Sequence, residues 1–500
     1  MTTERAKLAA ILAGGLGLRL AFLRVHQAIE RDGVSYASVA EHLARFGRLA
    51  DLHGQYHTFY PPGYPALVAP VYLLVGDSQR AGQVVSLVAG LALVALTFAV
   101  GRRLADKRVG FVAAALAAIY PSFVHSSVSV MTEATYAALL CLLVLVGIKL
   151  AERPGLVGSA LAGALVGAGY LVRPEGLLLS AGFAWLVTTW LVGGEPRRRV
   201  GARLACFALT LLLLVVPYVL YLHAITGSWL LSGKGVSYWI AESPQQFEAI
   251  ALGPPAPRSW RGLGVEATAF AERYLRNFFR QEGIIAEAVS LLALGLAAIG
   301  LVAARRARLA VEGVVLCAFA PLLLYPAFEA VERWIEPYVA ILFVFVARGI
   351  VWTADRAGTA RRAQAMAWGL GGLLAIRYTP QLSIPIRYVP SFEMVEQRDA
   401  GLWLRDRFGP GTTVMSRVPE IAYYARARWV ALPYADTAGV MAAARRAGAR
   451  FLVLDELTIR RRRPDLLPLL QQPPPPGLTL VHETDEFPER RVRVFAVDGS

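Results

Sequence analysis

The chain has 500 residues, 56% of them hydrophobic and 17% charged, with a mean hydropathy of +0.48 and a formal net charge of +15. A water-soluble globular chain carries about 25% charged residues, so these values exclude a soluble enzyme, a disordered chain and a nucleic-acid binder with a basic groove. They describe a polytopic α-helical membrane protein whose basic residues fall in short clusters between apolar runs, where they set orientation.

A hydrocarbon core of roughly 30 Å takes about 20 apolar residues per helix. On that ruler the sequence predicts about eleven transmembrane helices, near residues 8–28, 82–101, 109–123, 134–151, 155–171, 176–192, 203–222, 284–303, 310–327, 335–352 and 364–378. The first reads as a retained signal anchor, because no small-residue cleavage site precedes His26 and Gln27. One set of connections carries Arg102, Arg103, Lys107 and Arg108, then Arg197, Arg198, Arg199 and Arg203, then Arg305, Arg306 and Arg308, then Arg356, Arg361 and Arg362. The alternate short connections hold Arg173 and Arg333 and little else. The positive-inside rule puts the first set and the N-terminus in the cytoplasm of a multi-pass protein of the cell (inner) membrane, and the C-terminus outside.

Three segments face outward on this reading. Residues 29–81 are polar and aromatic except for an apolar stretch at 66–75, which is too short to cross and is expected along the membrane surface. Residues 223–283 combine Gly, Pro and aromatics. The tail, 379–500, alternates helical stretches with β-rich runs at 412–416, 429–432, 451–455, 478–482 and 492–497, which predicts a C-terminal extracytoplasmic α/β domain beyond a membrane domain of residues 1–378. The proline run 473–476 is a loop within it. The cysteines Cys141, Cys206 and Cys317 lie in apolar runs and read as small buried hydrophobes, leaving no disulfide framework or cysteine metal site.

Chemistry is sought among the ionisable residues at the outer junctions, since charge at membrane depth is costly without a purpose. Asp32 opens DGVSYASVAEHL (32–43). It suits a helix N-cap, and equally an ionised general base just above the bilayer. Glu133 begins a span in SVMTEATYAALL (129–140), Arg173 and Glu175 flank Pro174 in YLVRPEGLLL (170–179), and Glu332, Arg333 and Glu336 lie in ERWIEP (332–337). Singly, each reads as a helix-terminus acid or a local ion pair; together they can converge on one cavity. In TFYPPGYPALVAPVY (58–72), Pro61 and Pro62 stiffen the loop and Gly63 permits a turn. His53 and His57 are spaced like two ligands on a helical turn, but Gly54 and the neighbouring aromatics point to a loop. Arg19, inside the first span, either snorkels or pairs with an acid or phosphate.

The ordered set Asp32-Gly33-x-x-Tyr36, PPGYP (61–65), residues 76–110, MTEATYAALL (131–140), LVRPEG (171–176), TGSWLLSGKG (226–235) and ERWIEPYVA (332–340) resembles the GT-C integral-membrane glycosyltransferases. The likeness is to the group that includes protein O-mannosyltransferases and lipid A aminoarabinose transferases. WLRDRFGPGTTVMS (403–416) with YYARARWVALP (423–433) is similar to the extracytoplasmic domain of many bacterial members.

The resemblance implies a GT-C-like fold and an inverting transfer of a sugar from a polyprenyl-phosphate donor to a hydroxyl of a lipid, glycan or protein on the outer face. Asp32 falls where the family places its catalytic acid. In many relatives a second acid follows directly, where this chain has Gly33; the paired-carboxylate motif is missing, so no metal ligands are assigned, no cofactor is expected to be required, and strong dependence on a divalent metal is not supported. Arg19, Arg80, Arg173 and Arg333 are the implied candidates for the donor phosphate, Glu133 and Glu175 for orienting the sugar hydroxyls or holding those arginines, and Tyr36, Tyr60, Pro62 and Tyr64 for positioning the acceptor or the loop. The competing functions are a polysaccharide ligase with a diphosphate-linked donor and a non-enzymatic transporter of lipid-linked sugars. The latter is disfavoured because the ionisable residues gather at the outer boundary instead of the midplane.

Overall fold

The computed structural model describes residues 2–233, 267–303, 309–327, 332–387, 394–470, 473–484 and 490–498. The chain opens with α1 (Thr2–Val25), α2 (Arg31–Phe46), α3 (Gly63–Val75), α4 (Ser78–Leu104), α5 (Lys107–Ile119) and α6 (Pro121–Ser126). It continues with α7 (Glu133–Glu152), α8 (Leu156–Val172), a 3₁₀ turn (Pro174–Leu179), α9 (Ser180–Val192) and α10 (Arg197–Thr226). After these come α11 (Ala267–Val289), α12 (Leu291–Val302), α13 (Leu309–Cys317), α14 (Glu332–Asp355) and α15 (Ala360–Arg387).

Six helices among the described residues are long and apolar enough to cross a membrane, by length and composition: α1, α4, α7, the 3₁₀ turn with α9, α10 and α14. Two bent pairs raise this to eight if each is one span: α11 with α12, which meet at 100°, and α13 with the helical turns up to Ala327, at 47°. The remaining expected spans are not single straight apolar helices. Residues 109–123 divide at Tyr120, where Pro121 starts α6; α8 has 17 residues; α15 has 28 but carries polar residues along its length. The stretch expected on the membrane surface forms α3, a 13-residue helix that leaves Leu67, Leu73, Leu74 and Val75 exposed. Arg305, Arg306 and Arg308, and most of the expected 223–283 loop, lie outside the described residues.

Of the six span-length helices, α14 is the most enclosed, and its residues from Tyr338 to Val351 contribute to the main apolar core. Its Arg348 side chain donates to Glu312 on α13 (3.0 and 3.3 Å), to the Gly300 carbonyl on α12 (3.5 Å) and to the Leu104 carbonyl on α4 (3.2 Å). A buried cation is tolerable only when paired and hydrogen-bonded in this way. The pair therefore holds four helices in one register at the end of the bundle opposite Arg333.

The tail contains α16 (Val395–Phe408), β1 (Thr413–Ser416), α17 (Glu420–Ala425), β2 (Arg428–Ala431) and α18 (Thr437–Arg446). β3 (Phe451–Asp455), α19 (Glu456–Arg462), β4 (Leu478–Glu483) and β5 (Val492–Val497) complete it. The five strands form one sheet in the order β2-β1-β3-β5-β4, parallel through β2, β1 and β3 and antiparallel beyond. β3 is buried along its whole length, as a central strand covered on both faces must be.

This sheet domain rests on the membrane part through α17. The Ile29 N–H donates to Tyr424 Oη (2.7 Å), Tyr424 donates to Gln79 (2.9 Å), and Tyr423 and Ser78 share a hydroxyl hydrogen bond (2.9 Å). His53 stacks on Trp429 with ring centroids 5.7 Å apart.

Glu420, at the start of α17, is buried with one carboxylate oxygen lacking a partner. Burial pushes its pKa up to about 7, against the pull of Arg31 and Arg417 and with help from the Asp32 charge. A carboxyl whose folded pKa is raised binds more protons in the native state across the interval from its ordinary value, about 4.3, to about 7. Stability therefore falls as pH rises through that interval and levels off above it. Glu420→Gln is expected to match wild type in thermal stability at pH 5 and to exceed it at pH 8.

Candidate active site

Asp32 lies in the first turn of α2, but Glu30 is the residue at the N-cap position, and it caps nothing with its side chain. The Asp32 carboxylate turns inward instead. Oδ1 accepts from the Tyr60 hydroxyl at 2.7 Å, and Oδ2 accepts from Arg333 Nη2 at 2.6 Å. The same guanidinium places Nε 3.2 Å from Glu133 Oε1. Glu133 also lies 3.5 Å from Arg173 Nη1, and Arg173 Nε donates to Glu175 at 2.6 Å. One chain of alternating charge thus runs Asp32–Arg333–Glu133–Arg173–Glu175, assembled from α2, α14, α7 and the 3₁₀ turn after α8.

The chain is graded from open to closed. The Arg333 side chain is 42% exposed and that of Asp32 20%, whereas Glu133 is 3% and Arg173 7%. The inner end is sealed by tyrosines absent from the sequence-based candidates. Tyr325 donates to Glu175 (3.0 Å) and bonds Tyr338 (3.1 Å), which reaches Tyr136 (3.4 Å); the Tyr136 ring lies 5.6 Å from the Arg173 guanidinium carbon. Glu336, one turn after Arg333, joins the acidic surroundings of Glu133 and keeps one buried oxygen unpartnered. So does Glu133, at Oε2. Tyr136 and Tyr338 stand three and five residues after Glu133 and Arg333, a spacing that the motifs MTEATY and ERWIEPY already display.

Tyr60 is held by His57, whose Nε2 accepts the Tyr60 N–H (3.0 Å) and whose ring stacks on the tyrosine at 5.8 Å. Burial lowers the His57 pKa to about 4, against the Asp51 charge, so the ring is neutral and free to accept. His53, turned to Trp429, does not join it, and the two histidines do not form a ligand pair. Tyr36 lies between the rings of Tyr60 (4.8 Å) and Tyr64 (5.4 Å), and burial raises its pKa, with the Asp32 and Glu133 charges adding to the effect. Tyr64 is buried and bonds Ser86 (2.8 Å) and the Gly82 carbonyl (3.0 Å), a supporting contact away from the carboxylate. Pro62 occupies the N-cap position of α3, and a Cβ on the next residue, Gly63, would lie 2.6 Å from the Leu171 backbone. That close approach seats the PPGYP turn against the end of α8, just before Arg173.

Two of the arginines expected for the donor phosphate lie outside this chain of charge. Arg19 is fully buried and spends its guanidinium on Ser127 (3.0 Å) and the Gly15 and Ala118 carbonyls (3.1 and 3.0 Å), tying α1 to α5 and α6. Arg80, at the start of α4, lines a separate cavity of about 570 Å³ with Arg398, Tyr424 and Gln27. The missing second acid also has a steric cause: a Cβ at Gly33 would meet Ile29 at 2.9 Å and the Val130 carbonyl at 3.1 Å. The position between the two carboxylates Asp32 and Glu133 is taken by the Arg333 guanidinium, so the residues present are matched to an internal cation.

The arrangement offers an oriented carboxylate paired with a half-open arginine, backed by a buried acid–arginine network. An arginine can hold two carboxylates on one planar fork, and lysine cannot. Arg333→Lys is expected to fold and to lose at least tenfold in turnover. Arg333→Met, which leaves Glu133 without that counter-charge, should lose at least a hundredfold and also unfold at a lower temperature in detergent. Wild-type turnover in Arg333→Lys would remove the shared fork from the site.

The family model for dolichyl-phosphate-mannose-protein mannosyltransferases matches residues 60–221, which include Tyr60, Glu133, Arg173 and Glu175. Comparison of the sequence with curated proteins gives no match. Among solved structures, ArnT from Cupriavidus metallidurans bound to undecaprenyl phosphate superposes with a TM-score of 0.63 at 13% identity, covering 98% of each chain. The Archaeoglobus fulgidus oligosaccharyltransferase, in complex with zinc and sulfate, gives 0.64 at 14% identity over 91% of this chain and 68% of its own. The same archaeal enzyme with an inhibitory peptide and a dolichol-phosphate gives 0.61 at 12% identity over 91% and 70%.

Proposed function

We propose, from the premise that this chain is a membrane protein with the GT-C glycosyltransferase fold, that it transfers a sugar from a polyprenyl-phosphate donor to an acceptor hydroxyl at the outer face of the cell membrane. The observation that carries the reading is the Asp32 carboxylate, fixed on one oxygen by Tyr60 and on the other by Arg333. Lipid phosphates in two structural neighbours, undecaprenyl phosphate in ArnT and dolichol-phosphate in the archaeal oligosaccharyltransferase, support the donor class.

In the proposed reaction Asp32 accepts the acceptor's hydroxyl proton as that oxygen attacks the anomeric carbon. The new carbon–oxygen bond forms on the face opposite the phosphate. The bond to the phosphate oxygen breaks, its electron pair leaves with the lipid phosphate, and the anomeric configuration inverts. Arg333, partly exposed beside the base, is the residue best suited to the departing phosphate, since an arginine fork matches phosphate oxygens in pairs. Glu133 and Glu175 hold the arginines, and the carboxylate excess favours positive charge developing on the sugar ring. Asp32, with its remaining lone pairs, keeps the capacity to take a proton while hydrogen-bonded to both partners.

The acceptor side involves the 223–283 segment, where Tyr170 already bonds the Leu231 carbonyl (2.7 Å), and the sheet domain. The acceptor is a lipid, a glycan or a protein hydroxyl, and membrane lipids surround the site.

The donor class is tested with purified protein and matched pairs of synthetic donors that carry one sugar on a prenyl monophosphate or on a prenyl diphosphate. Release of prenyl phosphate from the monophosphate series, stimulated by a cell-envelope extract as acceptor, is the expected result. Release from the diphosphate series alone would replace this reading with a ligase that uses diphosphate-linked donors.

A further inference from the structure

At the N-terminus of α2, three side chains with metal-binding atoms meet. His26 follows the end of α1, Glu30 precedes α2, and His125 lies on α6; their ligand atoms all fall within 4.8 Å of one another. His26 Nε2 is 3.2 Å from Glu30 Oε1, and the two imidazole rings meet edge to face with centroids 5.3 Å apart. Ser129 Oγ lies 3.4 Å from His26 Nε2 and 3.5 Å from His125 Nδ1. His26 is buried, and both Glu30 carboxylate oxygens are buried against His26, His125 and Ser129. Two buried acceptor oxygens aimed at two imidazoles are costly unless something cationic satisfies them.

We infer that His26, Glu30 and His125 form a binding site for a divalent transition-metal ion of the zinc class, separate from the Asp32 site. The donor set is two imidazole nitrogens and one carboxylate oxygen, a combination that zinc takes in three-ligand sites with a fourth position left to water. Tetrahedral ligands at about 2.0–2.1 Å from zinc stand about 3.3 Å apart. The His26–Glu30 separation already has that value, and the remaining adjustment falls on His125, an exposed side chain on a short helix. Access is available from the exposed His125 side and from the cavity of about 570 Å³ that His26 lines. An ion there would clamp the end of α1 and α6 to the residue two places before Asp32, and so fix the entry of α2. The site does not depend on the transferase reading.

The test is zinc content and affinity of the purified full-length protein in detergent, with cobalt(II) as a spectroscopic replacement. The expected results are one equivalent of zinc per chain and cobalt d–d bands of tetrahedral intensity. Zinc should also raise the thermal unfolding temperature, and a chelator should reverse that rise. His125→Ala, chosen because the side chain is exposed, and Glu30→Gln should each weaken zinc affinity at least tenfold and abolish the thermal shift. Asp32→Asn should keep both. Failure of wild type to hold zinc at tenfold excess overturns the inference. So does zinc that survives in His125→Ala and Glu30→Gln but disappears in Asp32→Asn, which would put the ion on the carboxylates of the candidate active site.

Discussion

One guanidinium holds the candidate active site together. Arg333 reaches Asp32 with one nitrogen and Glu133 with another, so two carboxylates that would otherwise repel share a single cation. Removing one partner of a buried ion pair costs about 3–5 kcal/mol because the other charge is stranded; the half-exposed position of Arg333 makes the cost on the Asp32 side smaller. The inner half of the network has no such relief. Glu133, Arg173 and Glu175 are nearly inaccessible, and their stability rests on one another and on Tyr325. The network is thus anchored at its closed end and adjustable at its open end.

The helices are arranged to make this sharing possible. Asp32 and Arg333 are 301 residues apart, and what aligns them is the packing of α14 through the centre of the bundle. The Arg348–Glu312 pair fixes α14 against α4, α12 and α13 near its far end, while Gly63 lets the PPGYP turn approach α8 closely enough to carry Tyr60 toward Asp32. The sheet domain adds a clamp from above. Tyr423 and Tyr424 bind Ile29, just before α2, and the first residues of α4, so the chain entering the helix that bears Asp32 is held in place.

Much of this was legible in the sequence. The five strands of the tail fall within a residue or so of the β-rich runs, because alternating and continuous apolar patterns in a polar context read clearly. Asp32, Glu133, Arg173, Glu175 and Arg333 stood out because each is a charge beside an apolar span, and the structure joins all five. The same rule also singled out Arg19 and Arg80, which the structure does not join to that chain of charge. A sequence gives the depth of an arginine but not the side of the helix it faces, and Arg19 faces α5 and α6. The sealing tyrosines were hidden for a related reason: Tyr136, Tyr325 and Tyr338 are ordinary aromatics in apolar helices until the fold brings their hydroxyls together. The cluster of His26, Glu30 and His125 was illegible because its members lie 4 and 95 residues apart, with no ligand spacing to flag them. Straight-helix counting gave about eleven spans, whereas six described helices, or eight with the bent pairs, meet the length and composition of a span; α5 ends where Pro121 intervenes and α8 has 17 residues.

The central claim is that the Asp32 carboxylate is the base, and its most direct measurement separates turnover from binding in one variant. Asp32→Asn keeps the size of the side chain and an oxygen acceptor for Tyr60 or Arg333, but it cannot take a proton at neutral pH. The account predicts that prenyl-phosphate release falls by at least a thousandfold while the affinity for the prenyl-phosphate sugar, measured on the same folded preparation, stays within a few fold of wild type. Release at the wild-type rate by Asp32→Asn would contradict it.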